Sequence, residues 1–440
     1  LESKAAKVTN EKSKVAEVSQ TGSSAEGQVS EPVPAKLSWS RTFAALKYRN
    51  YRLWFLGQLA SLVGTWMQTT AQGYLVYQLT QSPAYLGYVG FMGGIPSWVL
   101  MIYGGVVSDR VPRRTLLVIT QSAMMILAFI LAVLAFTNVV QPWHIIVMAL
   151  LLGVANAFDA PARQSFVLEM VEREDMVNAI ALNSTMFNMA TAVGPAIAGA
   201  AYALVGPGWC FTINGVSFLA VIVALLMMHI KPMPAREKAS SAIQDLKEGV
   251  RYVAKHQIIR TLMLVAIVYG LFAMGYATII PAWAVSVLGG DASTTGLLQS
   301  ARGIGSLIAA LTIASLGRFN WKGKMLIIGA LLFPILLLVF STITWTPLSL
   351  LVMIGVGLGQ MLLWNMLNTL IQTLVSDHLR GRVMGLYSLT FFGAMPIGAL
   401  MAGAVAASVG EPATVVFTAL VTLAFAIILV WRMPQIRALT

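Results

Sequence analysis

Residues Thr115 to Phe158 read TLLVITQSAMMILAFILAVLAFTNVVQPWHIIVMALLLGVANAF, 44 positions without an Asp, Glu, Lys or Arg. A helix crosses the hydrocarbon of a bilayer with about 20 mostly apolar residues. The run is twice that length, and Asn138 to Pro142 interrupts it with turn-forming residues, so it holds two spans. It is continuously apolar rather than alternating, and far longer than the roughly 9 to 11 residues of a membrane strand. In hydrocarbon every backbone amide needs a partner within its own segment, which a helix supplies.

The same reading extends in both directions. Leu53 to Ser108 is 56 uncharged residues broken at Thr80 to Pro83, and Met176 to Ile230 is 55 broken at Gly206 to Gly208. Each holds two spans. Thr261 to Gly290 holds one, and so does Ala292 to Gly317, which only Arg302 interrupts. Met325 to Ser376 holds two, Val383 to Gly410 one and Pro412 to Trp431 one. The expectation is an all-α membrane protein of twelve transmembrane helices. Composition agrees: of 440 residues, 58% are hydrophobic and 10% charged, against roughly 25% charged in soluble domains. Mean hydropathy is +0.77. A disordered chain, a collagen-like fibre and a disulfide scaffold are excluded. Cys210 is the one cysteine, so no disulfide framework or Cys-rich metal site is possible.

The net charge of +12 is placed as loops, not as a nucleic-acid-binding stripe. Residues 1–40 hold five Lys and five Glu, too little apolar mass to fold, and no signal-peptide core. They read as a disordered cytoplasmic tail. Beyond them the Lys and Arg cluster in alternate connections, including Arg110 to Arg114, Lys231 to Arg260, Lys322 to Lys324, and Arg380 with Arg382. The connections near residues 80, 140, 207, 290, 345 and 411 contain neither. Basic loops stay inside, so both termini are expected in the cytoplasm. The longest connection follows the sixth span. The expected domains are an N-terminal six-helix bundle (41–230), a central cytoplasmic loop (231–257), a C-terminal six-helix bundle (258–432) and a short tail (433–440). A shift of 204 residues lays Gly194 on Gly398 and Gly199 on Gly403. Six helices per repeat is an even number, which implies halves related by an axis along the membrane normal and a ligand site between them.

Gly104-Gly105-Val106-Val107-Ser108-Asp109-Arg110-Val111-Pro112-Arg113-Arg114 follows the second span. Positive-inside placement explains its arginines but not the acid among them. The segment resembles the loop signature of the major facilitator superfamily at Gly105, Asp109, Arg110, Arg113 and Arg114, and departs from it at Pro112. Ala190 to Gly199, containing Gly194, Pro195 and Gly199, is similar to the helix-packing signature of that superfamily's exporters. Proline removes one helix hydrogen bond, and small residues permit close packing. Gly57 to Leu62 with Gln72 to Thr80, and Asp159 to Gln164 with Asn178 to Asn183, resemble the bacterial branch of siderophore and drug exporters. The resemblance implies a bacterial inner-membrane protein performing proton-coupled export by alternating access.

Ionisable groups within a membrane default to functional candidates. Asp159 and Arg163 are four apart and can pair on one helix face. Asp109 is expected to pair with Arg163 as well, near the helix start after Arg382, latching the cytoplasmic side in an outward-open state. Arg302 lies about 15 Å into its span, too deep to snorkel. It faces either a wet cavity, where it attracts an anionic substrate or sets a local pKa, or backbone carbonyls. Gln58, Thr65, Gln68, Thr69 and Gln72 share one face of the first span and read as cavity lining. The first span has no acid, which leaves Asp159 as the proton-coupling candidate. Asn183, Gln360, Asn365 and Asn368 are further cavity candidates, with interhelical hydrogen bonds as the alternative for each.

The four His have no ligand spacing, and no Walker loop or nucleophile elbow appears. No enzyme activity, metal, cofactor or nucleic-acid partner is expected. The expected partners are the bilayer, a small molecule and a proton, with a monomer favoured. The reading is an exporter of an amphipathic siderophore-like compound or drug. An importer of the same fold, and a receptor or scaffold that transports nothing, remain open.

Overall fold

The computed structural model describes residues 43–229, 242–316 and 319–439. The expected N-terminal tail and the first part of the central loop lie outside them. The described chain is helical: α1 (Arg49–Thr80), α2 (Pro83–Arg110), α3 (Arg113–Phe136), α4 (Pro142–Val167), α5 (Met176–Val205) and α6 (Pro207–Met227). There follow α7 (Ala242–Lys255), α8 (Gln257–Val268), a π-helical turn at Tyr269–Ala273, α9 (Gly275–Thr278) and α10 (Ile280–Ser286). The chain closes with α11 (Ala292–Ser315), α12 (Lys322–Ser341), α13 (Thr346–Leu374), α14 (Asp377–Val409) and α15 (Glu411–Arg432).

Among the described residues ten helical segments are long and apolar enough to cross a membrane, or eleven with α2, which bends by 58° between Pro83–Met101 and Tyr103–Arg110. The segment α1 falls outside that count on composition, not length. Its 32 residues reach about 48 Å. Its glutamines and threonines dilute its apolar character. The turns at the non-basic end are tight. Pro83, Pro142, Pro207, Pro347 and Pro412 each occupy the first turn of a helix, where their missing N–H has no intrahelical role.

Three segments differ from expectation. The seventh span is not one rod: its apolar run is broken into α8, the π turn, α9 and α10. Gly270 packs on Ala394, and Gly275 on Gly398 and Ala402, at distances that a side chain would forbid. Part of the central loop is helix α7, strongly amphipathic, with Val253 buried and Glu248 paired to Arg382 at the start of α14. The C-terminal residues are held too. Ile436 is buried against Gly323, whose N–H donates to the Leu439 carbonyl at 3.0 Å.

Helices from the two ends of the sequence meet along two seams, α2 with α14 and α5 with α11. The seams run through small residues. Gly87 meets Ala399 and Gly403, Gly94 meets Pro396, and Gly199 and Gly296 meet each other. The 204-residue shift recurs in this geometry. Gly194 packs on α1 at Val63 and Trp66, and its counterpart Gly398 packs on Gly270 and Leu271 of the seventh span. Gly206 (φ 85°) and Gly410 (φ 87°) end α5 and α14 in the same left-handed conformation, open to glycine at no steric cost.

Candidate functional site

The seam contacts just named run from the non-basic end to the middle of the helices, at Gly94 and Pro396. At the basic end, Gly105 on α2 and Gly381 and Gly385 on α14 have no described atom within 4 Å of where a Cβ would stand. Beside the α2–α14 seam, with Gly94, Pro396 and Ala399 in its wall, is a cavity of about 430 Å³, bounded by α1, α2, α4, α9, α10, α11 and α14. Its polar lining includes Thr69, Gln72, Asn156, Thr278, Gln299 and Arg302. A second chamber of about 250 Å³ shares Trp66, Thr69, Leu152 and Asn156 with the first, and is also lined by Gln58, Thr65 and Gln68. A third, about 350 Å³, shares Phe392 and is lined by Asn365, Asn368, Trp364, Tyr387 and Phe391.

The five polar residues expected on one face of α1 all reach these chambers. They are not equally free. Asn214 donates to Gln68 Oε1 at 2.6 Å, and Gln72 donates to the Ile145 carbonyl at 3.4 Å. Thr65 and Thr69 turn their hydroxyls back onto their own helix. Gln58 Oε1 is buried without a partner. Gln360 and Asn183 line none of the three chambers. Gln360 instead donates to Met274 Sδ at 2.8 Å.

Asp159 is 1% exposed and borders the second chamber. Thr120 Oγ1 and Gln121 Nε2 each donate to its Oδ1 at 2.9 Å, and Arg163 Nε stands 3.5 Å from Oδ2. The i,i+4 pairing read from the sequence is present. Thr120 and Gln121 come from α3, a partnership that no spacing within α4 announces. In the loop after α2, Asp109 is half-exposed and contacts Arg113 at 3.7 Å, not Arg163. Arg113 also pairs with Glu169, Arg114 donates to the Leu226 carbonyl at 2.9 Å, and Arg110 is exposed. The expected Asp109–Arg163 pair is not formed in this structure.

Arg302 borders the central cavity, and its Nε is buried with no hydrogen-bond partner. The buried Tyr276 side chain is its electrostatic and hydrogen-bonding neighbour. One turn before it, Gln299 accepts from Thr70 Oγ1 at 2.8 Å, bridging α11 to α1. Sequence reasoning missed Gln299 and Asn156, though each lies three residues before a residue it singled out, hence on the same helix face. It also missed the aromatic wall. Trp364 meets Phe391 edge-on at 4.6 Å between centroids, and Phe391 meets Phe392 at 5.3 Å. Among the described residues no group of acids, His and Cys is arranged to hold a metal.

Residues 40–440 match the model of the transmembrane secretion effector family. The chain belongs to this family of major facilitator transporters. It is 24% identical over 353 residues to the staphyloferrin A transporter of Staphylococcus aureus, covering 80% of this chain and 88% of that one. Identity to the multidrug efflux pump Tap of Mycolicibacterium fortuitum is 25% over 390 residues, 87% and 95% of the two chains. Identity to the enterobactin exporter EntS of Shigella boydii is 23% over 383 residues, 84% and 89%. The fold is similar to the crystal structure of a bacterial homologue of the human lysosomal transporter Spinster, in an inward-facing and unoccupied conformation. The TM-score is 0.68 at 13% identity, covering 89% of this chain and 98% of that one. The chain is thus a multi-pass membrane transporter of the major facilitator superfamily.

Proposed function

We propose that this transporter exports amphipathic small molecules, siderophore-like compounds or drugs, from the bacterial cytoplasm in exchange for protons. The observation that supports the reading is the cavity beside the α2–α14 seam, with close seam contacts at the non-basic end and Gly105, Gly381 and Gly385 of the basic end meeting no described atom; we read it as shut at the first end and entered from the second. Basic ends face the cytoplasm, so the cavity loads from inside. The names of the family and of the efflux relatives support the direction of transport.

In this reading twelve helices form two six-helix bundles, α1–α6 and α8–α15, with α8, α9 and α10 together making the seventh span. The helix α1 is the twelfth: its polar residues face chambers and neighbouring helices, so its modest hydropathy does not keep it out of lipid. Both termini are cytoplasmic, and one chain is the working unit. The bundles rock about the seams, and the site is exposed to one side at a time. Asp159 carries the proton. Protonation removes its charge and loosens its hold on Arg163 and on the Thr120 and Gln121 donors of α3. Substrate and proton act on one equilibrium, each through its differential affinity for the two states.

A host lacking its own pumps tests this. Expression is expected to raise drug resistance and lower cellular accumulation, and everted vesicles to take up the same compounds when energised. A protonophore abolishes both. Uptake unaffected by collapse of the gradient would remove proton coupling, and uptake only into right-side-out vesicles would reverse the direction.

A further inference from the structure

We propose that the cavity is built for an organic anion with an aromatic body, the anionic group seated on Arg302 and the rings against the wall of Trp364, Phe391 and Phe392. The inference names the substrate class of the export reading and rests on it. Of the residues lining the central cavity, Arg302 is the only one that is charged. No described carboxylate pairs with it, and its Nε is buried without a partner. The adjoining chamber adds no compensating charge, because its single acid, Asp159, is matched by Arg163. An unpaired guanidinium beside apolar walls carries a desolvation cost that an incoming anion relieves.

A group beside Arg302 favours the same sign. Gln299 spends its carbonyl oxygen on Thr70, which leaves its amide nitrogen, a donor. A guanidinium with a neighbouring donor and no acid suits a carboxylate or another oxyanion, and repels a cation. The ring wall opens on the same cavity through Phe392, which borders both the central cavity and the aromatic chamber. Flat apolar groups pack on such edge-to-face clusters, and Asn365 and Asn368 supply hydrogen bonds at the chamber's edge. The cavity volume of about 430 Å³ falls within the roughly 300–1,000 Å³ of drug-sized sites.

The test uses the full chain purified in an uncharged maltoside detergent and three matched probes: pyrenebutyrate, pyrenebutanol and pyrenebutylamine. Binding is read by quenching of tryptophan fluorescence. The wild type is expected to bind the acid about tenfold or more tightly than the alcohol or the amine, the scale of a charge-assisted hydrogen bond. Arg302→Gln reduces that preference to about twofold while still binding the alcohol, which reports an intact fold. Arg302→Lys keeps the preference at lower affinity, because it retains charge but loses the planar fork. Phe391→Ala weakens all three probes alike. Equal binding of the three by wild type, failure of wild type to bind the acid, or an undiminished acid preference in Arg302→Gln overturns the proposal. The readout is equilibrium binding, so the export reading fails separately. Selective binding without gradient-driven movement in vesicles sinks export alone, and gradient-driven movement without anion preference sinks this inference alone.

Discussion

Gly199 and Gly403 stand 204 positions apart and do the same work in opposite directions. A Cβ on Gly199 of α5 would come within 2.7 Å of the Ala292 carbonyl oxygen on α11, and one on Gly403 of α14 within 2.7 Å of Gly87 Cα on α2. Each lets a helix from one end of the sequence lie backbone-to-backbone on a helix from the other. Between them they close one end of the molecule. In lipid such approach at small residues is a main source of helix association, because apolar side chains gain nothing by leaving hydrocarbon for one another.

Enlarging either glycine therefore opens the sealed end. Gly199→Val and Gly403→Val are each expected to destabilise the closed seam by about 1–3 kcal/mol, the usual range for overpacking. The reporter is a cysteine at Thr278, which lines the cavity, labelled by an impermeant maleimide applied from the non-basic side. The natural Cys210 is buried. Labelling is expected to rise severalfold in both variants, and an unchanged rate would mean that the seams do not seal the cavity.

The register of α2 on α14 makes a second prediction about the open end. Gly94 lies against Pro396 and Trp98 against Gly393, in antiparallel order. Eleven residues from Gly94 and from Pro396 toward the basic end, about three turns and so nearly the same face, are Gly105 and Gly385, where a Cβ would meet no described atom within 4 Å. Closing this end straightens the bend in α2 and brings the two glycines together. A Gly105→Cys, Gly385→Cys double variant is expected to form a disulfide only when the cavity faces outward. Trapping it so should stop transport, with recovery on reduction. A pair that never crosslinks under any gradient counts against closure along this seam.

Asp159→Asn separates the two jobs given to that side chain. The amide keeps its volume and can still accept from Thr120 and Gln121, so folding and probe binding are expected to stay within about threefold of wild type. Gradient-driven uptake into everted vesicles is expected to fall tenfold or more, with the residual movement indifferent to a protonophore. Retained sensitivity to the gradient would place the proton elsewhere.

At the start of α1, outside the spans, Lys47 Nζ stands 2.7 Å from Asp175, and Tyr48 donates to the same carboxylate at 2.8 Å. These hydrogen bonds, Lys47's first, hold the Asp175 carboxyl below its ordinary value of 3.8. The same partner raises Lys47 above 10.5. A depressed acid contributes stability above its unfolded value and loses it as pH falls through the folded one. A raised lysine keeps its contribution below 10.5 and loses it as pH climbs through the higher folded value. Wild type is thus expected to melt at a higher temperature than Asp175→Asn across neutral pH, with the difference shrinking below pH 3.8. A difference that grows on acidification would contradict the pairing.

Much of the site was legible because it is local. The face of Gln58, Thr65, Gln68, Thr69 and Gln72 follows from helical periodicity. The Asp159–Arg163 pair follows from a spacing of four, and the depth of Arg302 from counting along its span. The rest was hidden because its partners come from elsewhere in the chain. Gln299 meets Thr70 across 229 residues, Asn214 meets Gln68 across 146, and Gln360 turns to Met274 across 86. An interhelical bond and a cavity-facing amide look alike in one dimension. The Asp109 contact was not legible because the sequence offers it more than one arginine, and in the structure it takes Arg113.

By itself the sequence determined that the chain is helical, that it belongs in a bilayer, which connections carry the positive charge, and which face of α1 is polar. Those follow from hydropathy, helical period and loop composition, all properties of contiguous residues. Only the tertiary structure decided where the seventh span breaks, which amides are spent on neighbouring helices and at which glycines the two seams touch. Those depend on lateral packing at small residues. Glycines and alanines are scattered through every span, and only the assembled helices select the few at which two backbones touch.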